Sequence, residues 1–100
     1  MSQRLLAQLL SSSRQDREDL VALMARQAAP QAIIEQAHKI KGAARIVQAS
    51  ALAAQCEALE LACARNEERP TIDMGVKALE KLMLELERTL QVQLHKLDSQ

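Results

Sequence analysis

At 100 residues the chain has room for one domain with a single hydrophobic core and little more. Its hydrophobic 48% contains no Phe, Tyr or Trp, so the core must be Leu, Ile, Val, Met and Ala, a set that suits packed helices, and two Gly with two Pro leave too few turns for an all-β fold. Thirteen Lys and Arg balance thirteen Asp and Glu, which removes the electrostatic footprint of a general nucleic-acid binder.

Leu5, Leu6, Leu9 and Leu10 predict a short first helix. Gln8 interrupts the apolar run and no small-residue cleavage site follows, so the segment reads as a helix rather than a signal peptide. Ser11-Ser12-Ser13 is expected to break it, with Ser13 and Asp16 at the spacing of a capping box. A second helix then carries Leu20, Leu23, Met24 and Ala28 on one face, until Pro30 stops it and opens the next.

The third helix places Ile33, Ala37, Ile40, Ala44 and Val47 in alternating steps of four and three, the pattern of a buried seam. The fourth begins near Ser50 and turns Leu52, Cys56, Leu59 and Cys63 inward. Residues 65–70 form a polar break, after which Thr71 opens a last helix with Ile72, Val76, Leu79, Met83, Leu86, Leu90 and Leu97 inward. The expected fold is all-α: an antiparallel four-helix bundle with a short extra N-terminal helix, in one domain spanning residues 1–100.

Cys56 and Cys63 lie seven residues apart, about 10 Å at the helical rise, too far for a mutual disulfide. They read as small core residues in a reduced, cytoplasmic setting. No close Cys or His pair supplies zinc-ligand spacing, and no apolar run approaches the roughly 18 residues of a membrane span. With glycine only at positions 42 and 75, no phosphate-cradling nucleotide loop exists. His95, beside Lys96, reads as an ordinary surface residue.

The segment 37–45, Ala-His-Lys-Ile-Lys-Gly-Ala-Ala-Arg, carries the chemistry. His38 stands one residue beyond core position Ala37, about 100° around the helix, on the flank of the seam. Ile34, His38, Lys41 and Arg45 form a second stripe beside the buried one. Against Glu35, the cations Lys39, Lys41 and Arg45 leave this helix with a local excess of two positive charges. A phosphoryl group on His38 would find Lys41 one turn away. Gly42 follows His38 by four residues on the same face, and a mid-helix glycine costs about 1 kcal/mol relative to alanine. Its value would lie in letting a partner's loop approach the imidazole.

His38-Lys39-Ile40-Lys41-Gly42-Ala43-Ala44 resembles the His-x-x-Lys-Gly signature of histidine-containing phosphotransfer (HPt) domains. The downstream run Leu52-Ala53-x-x-Cys56-Glu57-x-Leu59-Glu60 resembles that family's next helix at its usual distance. The likeness covers most of the chain and is nearest to the HPt modules at the C-terminal end of bacterial hybrid sensor kinases. It implies that His38 accepts a phosphoryl group from a receiver-domain aspartate and passes it to an aspartate of a second receiver. Lys41 would stabilise the phosphoryl group, Gly42 would give access, and Glu60 would orient the imidazole through its other nitrogen.

The resemblance further implies receiver domains of a hybrid kinase or response regulator as partners, with Mg2+ on the receiver and no cofactor or metal in this domain. Docking is expected around Ile34, Lys39, Ala43 and Arg45, extended by Leu6 or Leu10 of the first helix. Lys39 and Arg45 would steer acidic receivers. No nucleic-acid or membrane contact is expected, and the state expected is a monomer in the cytoplasm. One position departs from the family pattern: Gln48 stands where a glycine usually ends the helix ten residues after the histidine. Two other readings stay open, a non-catalytic helical interaction module and a homodimer through the long last helix.

Overall fold

A computed structural model of the chain describes residues 2–99, so Met1 and Gln100, the outermost positions of the expected 1–100 domain, lie outside the described residues. Among these residues there are four helices and no strand: α1 (Gln3–Ala25), α2 (Pro30–Ile46), α3 (Ser50–Ala64) and α4 (Arg69–Asp98). Each helix packs on its neighbours in sequence, and α1 closes the ring against α4. Short connections make successive helices antiparallel, so this is a four-helix bundle.

The predicted seams are the buried ones. α2 turns Ile33, Ala37, Ile40 and Ala44 inward, and α3 turns Leu52, Cys56, Leu59 and Cys63. They meet Leu20 of α1 and Ile72, Val76, Leu79 and Met83 of α4 in one aliphatic core. Gly75 serves this packing: an added Cβ would meet Leu59 Cδ1 at 3.1 Å, so the bare backbone lets α3 and α4 close on each other.

The extra N-terminal helix is not separate. Ser11, Ser12 and Ser13 lie inside α1, and the cap is Ser2, whose Oγ accepts from the Leu5 N–H at 3.1 Å. Magnitudes explain the correction. Serine inside a helix costs a few tenths of a kcal/mol per residue, whereas burying one leucine stabilises by about 1.5–3 kcal/mol. A break at the serines would withdraw Leu6 and Leu10 from Leu90, against which both are buried. Asp16 is consequently no capping residue but a buried mid-helix carboxylate.

The three interhelical turns share one construction. Gln27, Gln48 and Asn66 take φ of 53°, 59° and 53°. In each turn the next residue's N–H reaches back to the helix: Ala28 to Leu23 O, Ala49 to Ala44 O, Glu67 to Ala62 O. These are Schellman caps built without glycine. Gln48 thus ends α2 in the left-handed conformation despite its side chain. α4 starts at Arg69 with Pro70 in its first turn, two residues ahead of the expected Thr71.

α1 and α4, at 23 and 30 residues, outrun α2 and α3, at 17 and 15. Their excess forms a two-helix extension beyond the α2–α3 turn, which gives the molecule its 49 Å long axis. Leu6, Leu10 and Leu90 pack there, flanked by Leu9, Leu86, Leu94 and Leu97. Near the tip Gln3 hydrogen-bonds Asp98. No helix among the described residues is long and apolar enough to cross a membrane.

Candidate functional site

His38 stands halfway along α2, between buried Ala37 and Ile40, and its side chain is 73% exposed. The ring is held on one side only. Nδ1 lies 3.2 Å from Glu60 Oε1 on α3, while among the described residues nothing pairs with Nε2. Glu60 is itself held: its second oxygen, Oε2, accepts from Lys41 Nζ at 2.6 Å. Lys41 is 12% exposed and Glu60 17%, so the pair sits in the α2–α3 groove beneath the imidazole. A carboxylate on Nδ1 favours the tautomer with the proton there and leaves the Nε2 lone pair facing solvent.

Gly42 is exposed one turn beyond His38, and a Cβ built on it meets nothing within 4 Å. The two glycines therefore have opposite explanations: Gly75 is required by packing inside the chain, and Gly42 is not. Ile46 continues the line at the next turn, 74% exposed and about 12 Å from His38 along the helix. Its eight-residue spacing from His38 is the signal in the sequence that puts both on one side of α2.

The cations of α2 are each partnered from a neighbouring helix. Lys39 Nζ lies 3.3 Å from Asp16 Oδ1 on α1, and Arg45 Nη2 lies 3.0 Å from Glu57 Oε1 on α3. With Lys41 on Glu60, the expected excess of positive charge is offset across the helix boundaries. Nothing in the spacing of the sequence points to Asp16 as the partner of Lys39. The Asp16 backbone carbonyl also accepts from Gln36 Nε2 at 2.8 Å, so α1 and α2 are pinned just behind the His38 face.

The expected apolar patch is smaller than anticipated. Ile34 and Ala43 are half-buried, Ile34 against the core and Ala43 in a cleft of about 30 Å³ beside Leu9, Ser13 and Val47. Leu6 and Leu10 are 3% and 4% exposed and are unavailable for docking, because the overhanging end of α4 covers them.

Cys56 lies one turn before Glu60 on α3, fully buried. Burial, and secondarily Glu60, push its thiol up to about 12, so it is no nucleophile at neutral pH. Among the described residues no three His, Cys, Asp or Glu side chains gather as a metal site. His95 is exposed on α4.

The imidazole is thus exposed, with Nδ1 anchored and Nε2 accessible, beside an open glycine. The family model described as "Hpt domain" matches residues 4–89, a span that includes His38, Lys41, Gly42 and Glu60. The chain is an Hpt domain. Nothing among curated proteins or solved structures matches it significantly. Hpt domains are helical bundles that carry out histidine-containing phosphotransfer in phosphorelays and interact with receiver domains. In this Hpt domain the helices that bury the core, α2 and α3, also set the His38–Glu60 contact.

Proposed function

We propose that this Hpt domain is a phosphorelay intermediate of a bacterial two-component system, with His38 as the phosphoryl acceptor. The observation that carries this reading is the one-sided hold on His38, Nδ1 at 3.2 Å from Glu60 and the ring 73% exposed. The donor is an aspartyl phosphate on a receiver domain, a partner that also brings Mg2+. The Nε2 lone pair attacks phosphorus in line as the P–O bond to the aspartate breaks, and the aspartate leaves with that electron pair. The imidazole keeps its Nδ1 proton and becomes cationic, with Glu60 as its counter-charge. Onward transfer reverses the step: a second receiver's carboxylate oxygen attacks, and the N–P electron pair returns to Nε2. Catalysis is mostly positioning and electrostatics.

The receiver meets the exposed face of α2, where Gly42 gives the active-site loop room and Ile46 supplies apolar contact. Ile34 and Ala43 border that face. Lys39 and Arg45, each already salt-bridged, contribute orientation by exchanging partners with receiver acids. The domain works as a monomer on the cytoplasmic side, as the C-terminal module of a hybrid sensor kinase or as a partner of one.

The test is transfer of labelled phosphate from a receiver carrying aspartyl phosphate, comparing native protein with His38→Gln. Acid-labile, base-stable label on the native protein alone is the expected result. Absence of label from several receivers, with both proteins folded, would replace this reading with that of a non-catalytic interaction module.

A further inference from the structure

The transfer step makes no use of Asp16, the buried carboxylate behind the His38 face. It sits mid-helix on α1, its side chain 7% exposed, and among the described residues its carboxylate has one partner, the Lys39 ammonium at 3.3 Å. Lys39 follows His38 directly in the chain, and its own side chain is 64% exposed. The pair is therefore lopsided: a fixed anion withdrawn from water holds a cation that stands in solvent beside the acceptor imidazole. The pair on the other flank is different. Arg45 and Glu57 are 61% and 57% exposed, so water screens both and neither fixes the other. Asp16 is also anchored through its main chain, whose carbonyl accepts from Gln36 Nε2 at 2.8 Å. With Ser12, Ser13 and Ala43 it lines the cleft between α1 and α2 that borders the docking face.

A free ammonium beside His38 would draw any acidic receiver from a distance. Paired with Asp16 it presents a dipole, whose field falls off more steeply than that of a single charge. A receiver acid then gains only where it comes within hydrogen-bonding reach of Lys39. We propose that Asp16 is a specificity-determining residue for receiver docking, acting through Lys39. It withholds the lysine's long-range attraction and favours a receiver whose acid is placed to share the ammonium with it. The proposal rests on the phosphotransfer reading and deepens it by naming what selects among receivers. Because Asp16 acts through Lys39, its effect falls on association rather than on the chemical step.

The test is the steady-state rate of phosphoryl acceptance from a panel of isolated receiver domains of graded negative charge, each carrying aspartyl phosphate. Asp16→Asn keeps the main-chain carbonyl for Gln36 and leaves behind only a solvated lysine, so the fold should hold. At low salt this variant is expected to lower KM for acidic receivers about fivefold with kcat unchanged, and to narrow the spread of KM among them. The gain should vanish at about 1 M salt, where the screening length is about 3 Å. On a Lys39→Met background, or Lys39→Gln where methionine prevents folding, Asp16→Asn should leave KM within about twofold.

An unchanged KM at low salt overturns the proposal, and so does an equal gain on both backgrounds. A fall in kcat at constant KM overturns it as well, since Asp16 would then position the imidazole. Label absent from native protein with every receiver sinks the phosphotransfer reading instead. Calorimetric Kd values for the same receivers without phosphate then decide the role of Asp16 by the same two comparisons.

Discussion

Arg17 of α1 grips Glu87 of α4 with both arms of its guanidinium, Nε to Oε2 at 2.6 Å and Nη2 to Oε1 at 3.1 Å. Glu87 is 8% exposed and Arg17 19%, and hydrogen bonding to Glu87 pushes the guanidinium's pKa further above its ordinary value. A pair this withdrawn from water stabilises little against an apolar replacement, but losing one partner strands the other. Glu87→Leu should cost about 2 kcal/mol in urea unfolding, and Arg17→Met with Glu87→Leu should cost less than Glu87→Leu alone. A double variant weaker than the single one would contradict the stranded-charge account.

Gly42→Ala should separate folding from function. The new methyl has open space around it, so the helix should gain about 0.5–1 kcal/mol, or roughly 4–8 °C in Tm per kcal/mol. Phosphoryl transfer from receivers should fall in the same variant, because the methyl occupies room the partner needs. Unchanged transfer together with higher Tm would remove Gly42 from the docking face.

Gln48 holds φ of 59° where a side chain is strained. Gln48→Gly should raise stability by up to about 1 kcal/mol, with no effect on transfer, since the residue ends α2 three turns from His38. Thermal unfolding decides it, and a loss of stability would mean that entropy gained by the unfolded chain outweighs the relieved strain.

Burial raises the Cys56 thiol from 9.0 to about 12 and moves Cys63 in the same direction. The folded protein therefore keeps protons that the unfolded chain releases as pH passes 9. By linkage this contribution to stability is complete below pH 9 and is lost as pH rises toward 12. Cys56→Ala should flatten that alkaline decline, although its small cavity costs about 1 kcal/mol at neutral pH. A decline as steep in Cys56→Ala as in the native protein would place the alkaline sensitivity elsewhere.

Where periodicity dominates, the chain was readable: every residue expected inward on α3 is buried, and so are four of the five on α2. The His38–Glu60 contact was legible only through the family resemblance, which implies an imidazole-orienting residue at Glu60 on the next helix. Local signals failed where a distant segment decides. Ser11–Ser13 looked like a break, but α4 supplies Leu90 to keep Leu6 and Leu10 in line. Asp16 read as a capping residue, and no local pattern marks Glu87 as buried. Their partners, Lys39 and Arg17, come from other helices, 23 and 70 residues away in the chain. Nor does spacing alone disclose that Lys41 is committed to Glu60, since that depends on how closely α3 approaches.

Because α1 and α4 run antiparallel and Gln3 meets Asp98 at the tip of their extension, the outer ends of these two helices lie side by side. Tension applied through them would act on one helical turn at a time, opening the pair like a zip, rather than shearing all its contacts at once. The Leu6, Leu10 and Leu90 layer would part first, at low force. The helices bearing His38 and Glu60 would stay packed until the opening passed the α2–α3 turn.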